Sequence, residues 1–105
     1  MSKVIPSEFQ VGGQDINVVE IEKCQNDSLG TCCVAEGVVE IARTFRGKTQ
    51  CESVKLNTFY HELTHAILDT MGETELSANE RFVNTFSGFL TEAIRSFKYE
   101  WKRTN

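Results

Sequence analysis

The chain contains two histidines, and they stand four residues apart with a glutamate beside the first: His61-Glu62-Leu63-Thr64-His65. On a helix, residues at this spacing lie nearly above one another, so both imidazoles can reach one divalent cation from the same side. Glu62 comes round near such an ion, where a carboxylate can accept a proton from an activated water. The chemistry that suits this pattern is zinc-dependent hydrolysis. The remaining sequence has to supply a helix, a third ligand and a wall for the site.

The helix is legible. Leu56, Tyr60, Leu63, Ile67 and Met71 recur at spacings of three and four, forming an apolar stripe with Phe59 and Ala66 at its edge. At about 100° per residue, His61 and His65 fall roughly 100–140° from Tyr60, to one side of that stripe. A histidine that merely fills the core belongs within the stripe, whereas a solvated pair on an amphipathic helix would satisfy the spacing equally well. Ser53 suits the N-cap and Gly72 a left-handed C-terminal cap, which bounds the helix at about 54–71.

A catalytic zinc takes three protein ligands and leaves a position for water. With no third histidine in the chain, that ligand must be a carboxylate or a cysteine. Glu80 is expected to fill the role. It lies fifteen residues beyond His65, on the line Leu76, Glu80, Val83, Ser87, Leu90 of a second helix, which turns it towards the first. Asn84, one turn on, is placed to orient one histidine through a hydrogen bond. The competing reading is local: Ser77-Ala78-Asn79-Glu80 matches a capping box, in which Glu80 would only cap its own helix. Glu75, Glu73 and Asp69 stand as substitute ligands.

Composition narrows the class. At 105 residues, with 40% hydrophobic and 25% charged residues, the chain reads as one domain, 1–105, with a modest core. Its net charge of −4 gives no electrostatic support for nucleic-acid binding. The basic residues between Lys98 and Arg103 are interrupted by Tyr99, Glu100 and Trp101 and read as a solvated helix end. No stretch approaches membrane-spanning length, and no basic start precedes an apolar run, so a cytoplasmic protein without a membrane partner is expected. Cys24, Cys32, Cys33 and Cys51 lack repeated knuckle spacing and are expected to be reduced thiols, not a structural zinc site.

Strand signals occupy roughly residues 4–46. Val4-Ile5-Pro6 opens them, and Phe9 to Val11 and Ile16 to Glu22 flank the turn signal Gly12-Gly13-Gln14-Asp15 as a hairpin. Cys24 to Ser28 reads as loop. Leu29 to Val34 and Val38 to Phe45, split by Glu36-Gly37, form a second hairpin, and Arg46 to Glu52 is a polar connection. After the motif helix, Glu73-Thr74-Glu75 reads as a short acidic loop. A second helix then spans about 77–101, with Phe82, Val83, Phe86, Phe89, Leu90, Ala93, Ile94 and Phe97 on a broad apolar face. The expected fold is α+β: a small, antiparallel-rich sheet of about four strands followed by two packed helices.

With His61-Glu62-Leu63-Thr64-His65 followed by Asn79-Glu80-Arg81-Phe82-Val83, the sequence resembles the small gluzincin-like zinc metallopeptidases encoded by bacteriophages and prophages. The resemblance runs over nearly the whole chain. It takes in Ile5-Pro6, Phe9, Gly13, the Ile16–Ile21 strand, Leu29-Gly30 and the Val38–Ile41 strand. Thr58 to Leu68 and Asn79-Glu80-x-Phe82-Val83 are its specific parts. It implies a minimal zincin-like domain with His61, His65 and Glu80 as zinc ligands and Glu62 as catalytic base. It also implies a peptide or protein substrate, met in the host cytoplasm if the protein is phage-encoded. By analogy, Val38 to Phe45 would pair with extended substrate.

Peptide-bond hydrolysis is therefore the leading expectation, with Glu62 taking a proton from water and returning it to the leaving amine. Tyr60, Arg81 and Arg95 are the oxyanion candidates, with little to separate them, although Tyr60 sits on the core stripe. Two alternatives stay open. One is a deformylase-like amidase using a thiolate from Cys32, Cys33 or Cys51, although its surrounding motif is missing. The other is a catalytically weak or inactive relative that grips a peptide along a strand edge.

Overall fold

The computed structural model describes residues 5–103, so Val4 of the expected first strand lies outside the described residues. The fold is α+β. Among the described residues six strands precede three α-helices: β1 (Glu8–Val11), β2 (Gln14–Ile21), β3 (Gly30–Cys33), β4 (Val38–Ala42), β5 (Thr44–Phe45), β6 (Lys48–Thr49), α1 (Glu52–Met71), α2 (Thr74–Ser77) and α3 (Glu80–Arg95). Strands β1 to β4 form one mixed sheet in the order β1-β2-β4-β3, and β5 pairs with β6 in a short ribbon.

Both expected hairpins form. Gly12 and Gly13 supply the two left-handed residues, φ 59° and 81°, of the two-residue turn that brings Val11 opposite Gln14. Cys32 and Cys33 face Val39 and Val38 in the second hairpin, which is also antiparallel. The join between the hairpins departs from an antiparallel-rich sheet, because β2 runs parallel to β4 from Asn17↔Val38 to Ile21↔Ala42. After β2 the chain passes through a 3-10 turn at Gln25–Asp27, lays β3 on the far side of β4, and returns between its neighbours. Strand β4 therefore has both edges occupied, and the expectation that it pairs with an extended substrate is overturned. Strand β3 is the sheet edge that packs on α1.

One face of the sheet meets α1. Ile16, Val39, Ile41 and Phe59 form the buried core, with Phe9 edge-on to Phe59 at 5.9 Å between ring centroids. Period two explains the choice: Val39 and Ile41 point inward, while Val38 and Glu40 point away and stay half-buried. Strand and helix approach closely at Gly30. A Cβ there would lie 2.6 Å from Thr58 Cγ2, 3.0 Å from the Glu40 carbonyl and 3.3 Å from Glu62 Cγ. Gly30→Ala is expected to cost about 1–3 kcal/mol, the range for overpacking. Denaturant titration checks this; an unchanged midpoint would mean that β3 can back away freely.

Helix α1 begins two residues earlier than the sequence suggests. Cys51, in extended backbone and without a side-chain cap bond, takes the N-cap in place of Ser53, and Glu52 puts a carboxylate in the first turn. The C-terminus ends as expected. Gly72 sits at φ 84°, with its N–H donating to Asp69 O and that of Glu73 donating to Leu68 O, the paired bonds of a Schellman motif.

The second helix is shorter and broken. The acidic stretch read as a loop belongs to α2, a single turn, and Asn79 then caps α3 by accepting a bond from Phe82 N–H at 3.1 Å. Helix α3 ends at Arg95, not near 101, because Phe97, Tyr99 and Trp101 alternate with charged residues and give a helix no apolar face. Of the broad apolar face, only Val83 is fully buried. The inner face of α3 is completed by Ser87 and Thr91, with Thr91 Oγ1 donating to Ser87 O at 2.7 Å. Small inner residues let the helix pack closely on α1, which brings its first turn up to the motif.

Candidate metal centre

His61 and His65 project from one side of α1, and Glu80, the first residue of α3, comes over them. Glu80 Oε1 lies 3.3 Å from His61 Nε2, and Glu80 Oε2 lies 3.3 Å from His65 Nε2. One ligand atom from each residue can be chosen so that all three fall within 4.8 Å of one another. Two ligand atoms each about 2.0–2.1 Å from a tetrahedral zinc lie roughly 3.3 Å apart, which is the spacing of each histidine–glutamate pair here. The two imidazoles are 4.9 Å apart between centroids and inclined by 68°, so the rings are not stacked.

A histidine–glutamate ion pair would also give short N···O distances, but it needs a protonated ring. Burial lowers the pKa of His61, and the neighbouring His65 lowers it further, against the opposing pull of Glu80 and a hydrogen bond with Asn84. The His61 imidazole is therefore neutral near pH 7, with a lone pair to offer. Asn84 thus meets the histidine it was expected to orient. Neither half of the capping-box reading holds: Asn79 is the N-cap, and Glu80 turns to the histidines.

The partner of His65 was not foreseen. Ser77, buried in the last turn of α2, places Oγ 2.9 Å from His65 Nδ1. When Nδ1 carries the proton and donates to Ser77, Nε2 keeps its lone pair for a cation. No local pattern marks Ser77, because it meets His65 only once the short α2 folds the chain back. Ser77→Ala is expected to weaken zinc binding about 10–100-fold. Competition with a fluorescent chelator measures it, and unchanged affinity would leave the serine only a packing role.

Glu62 turns from the same helix towards the sheet and is only 6% exposed. Burial, with the Glu80 charge second, pushes its carboxyl from the ordinary value of 4.5 up to about 7. A group poised there can take a proton and give it back near neutral pH. Glu62 and His61 open together onto a cavity of about 250 Å³, whose polar lining comes from Ser28, Asn57, Thr58 and Asn84. None of the three expected oxyanion candidates lines it. Tyr60 packs against Phe59, Arg81 is exposed on α3, and Arg95 lines a larger opening of about 660 Å³ further along the helix pair. That opening shares Leu29, Asn57 and Thr58 with the smaller one, so a single groove leads away from His61 and Glu62.

No family model, curated protein or solved structure matches this chain.

The other candidate ligands stay apart from the centre. Among the described residues, the cluster of three potential ligands contains neither Asp69, Glu73, Glu75 nor any cysteine. All four cysteines are free thiols. Burial first, and then the Glu62 charge, pushes the Cys32 thiol up to about 12, so it stays protonated and is a poor metal ligand. Cys51 is exposed at the start of α1, where a bond with Ser53 lowers its pKa. Among the described residues no helix is long and apolar enough to cross a membrane.

Proposed function

We propose that this chain is a zinc-dependent metallopeptidase of a minimal, zincin-like kind. The observation that carries the reading is the convergence of His61 Nε2 and His65 Nε2 on separate oxygens of Glu80, each at 3.3 Å, with the buried Glu62 beside them. Two imidazoles and a carboxylate are a donor set that zinc accepts, and three protein ligands leave a position free. When bound, zinc supplies Lewis acidity to a water and to a carbonyl. Glu62 takes the proton of the attacking water and returns it to the departing amine. Ser77 and Asn84 hold the two imidazoles in orientation, and Asn84 also lines the cavity as a donor for developing negative charge.

An extended peptide or protein segment is the substrate this arrangement favours. It would lie along the open edge of β3, not along β4, and continue into the groove past Asn57 towards Arg95. Free, partly buried thiols suit a reducing, cytoplasmic setting. A phage or prophage origin rests on the sequence resemblance. The deformylase-like reading loses its support with the thiols outside the ligand cluster. The binding-module reading keeps one observation in its favour, the same unpaired β3 edge.

Zinc-loaded protein incubated with a mixed peptide library and read by mass spectrometry tests the proposal. New termini that a chelator suppresses and zinc restores are expected. Peptide binding without any cleavage would favour the binding module.

A further inference from the structure

Helix α3 carries a second feature, turned away from the metal centre. Phe82, Phe86, Phe89 and Ala93 recur at spacings of four, three and four, which places them within roughly 60° of one another on the helix surface. Asn84, which reaches His61, lies roughly 180° from the middle of that stripe. Phe86 and Phe89 are 46% and 68% exposed, and the Phe82 and Phe86 rings stack at 5.7 Å with planes 15° apart. On α1, Ile67 and Met71, 39% and 65% exposed, lie roughly 120° round from the two histidines. Phe97, 54% exposed, follows just past the end of α3.

We propose that this chain forms a two-fold homodimer through antiparallel pairing of α3 with α3 of a second copy, with the Phe82–Phe86–Phe89–Ala93 stripe as the seam. Three observations select a second copy as the occupant.

The first is area. A standard interface buries about 800 Å² per partner, and in homodimers about two thirds of it is apolar, so each copy needs roughly 500 Å² of apolar surface. The exposed parts of Phe86 and Phe89 supply roughly half of that, taking roughly 150–250 Å² for each ring, and Phe97, Met71 and Ile67 expose about as much again. The second is shape. A two-fold axis at the middle of the stripe sets Phe86 against Phe89 of the partner subunit, and Phe82 against Ala93 of the partner subunit, so the bulkiest outer side chain meets the smallest. The third is charge. Arg81 and Glu92, both exposed, are eleven residues apart and share one flank of the stripe within roughly 20°. Reversing the helix direction brings each Arg81 towards Glu92 of the partner subunit, the reciprocal contact that a two-fold interface requires.

Sedimentation velocity on the full chain across micromolar concentrations tests the proposal. The wild type is expected to sediment as a dimer. Phe89→Glu, at an exposed position, is expected to raise the dimer dissociation constant roughly thirtyfold or more, the size of a hot-spot loss, without altering the zinc-induced rise in melting temperature. Arg81→Glu should weaken the dimer, and Arg81→Glu with Glu92→Arg should restore it. This charge exchange carries the test if Phe89→Glu fails to fold. A wild type that stays monomeric, or a dimer indifferent to both Phe89→Glu and Arg81→Glu, would overturn the proposal.

Discussion

Glu62→Gln protein is expected to bind zinc as the wild type does and to lose at least about a hundredfold in kcat/KM for peptide hydrolysis, the low end of what a positioned general base contributes. The substitution keeps the shape of the side chain in its pocket against Gly30 and Thr58, so the cavity should survive. Among the described residues it removes the only carboxylate that lines the cavity beside His61. The candidate ligands His61, His65 and Glu80 are untouched, so the metal content of the purified variant separates a lost base from a lost ion. Hydrolysis at the wild-type rate by the glutamine protein would dispose of Glu62 as base. Loss of zinc together with activity would show that Glu62 helps to hold the ion.

The second large effect concerns stability. Adding zinc at about a thousand times its dissociation constant should stabilise the fold by about 4 kcal/mol. In a domain of this length that raises the melting temperature by at least about 10 °C. His65→Ala and Glu80→Ala should each abolish the rise.

Without metal, the pH dependence has a definite sign. Glu62 has a folded pKa of about 7 against an ordinary 4.5, so its proton is bound more tightly in the folded chain. Its contribution is fully present below about pH 4.5 and is lost as pH rises through about 7, at a cost on the order of 3 kcal/mol. His61 acts the other way. Its pKa is lowered on folding, so its contribution is present above the ordinary value of 6.5 and is lost as pH falls below it. Comparing metal-free wild type with metal-free Glu62→Gln isolates the first term. The variant's advantage should be small at pH 5 and grow to its full size by pH 8. A difference in midpoint that stays flat over this range would mean that the carboxyl titrates as an ordinary exposed acid.

Much of this protein could be read from residue order, wherever the deciding interactions are local. The motif helix, its Gly72 cap and both hairpins follow from spacings within a few residues, because helix and turn geometry is set over that distance. The pair His61 and His65 belongs to the same class, since a single helical turn aligns them. Even the placement of Glu80 was accessible: the stripe Glu80, Val83, Ser87 marks the inner face of α3 before any packing is known.

Contacts between distant segments were settled only by packing. The parallel pairing of β2 with β4 depends on which edge β3 occupies, and no pattern inside β2 or β4 encodes that choice. The Ser77 bond to His65 arises because a one-turn helix, read as loop, folds the chain back. The raised pKa of Glu62 has the same origin. Its sequence neighbours do not bury it; Gly30, lacking a side chain, lets β3 close over its Cγ. Nor does apolar character alone say what is covered: Phe86 and Phe89 belong to the broad apolar face yet stand exposed, while Val83, Ser87 and Thr91 are the buried residues of α3. Sequence fixes local geometry because backbone hydrogen bonds close within a few residues. Burial and electrostatics depend on which surfaces finally meet, and that was decided by the tertiary structure.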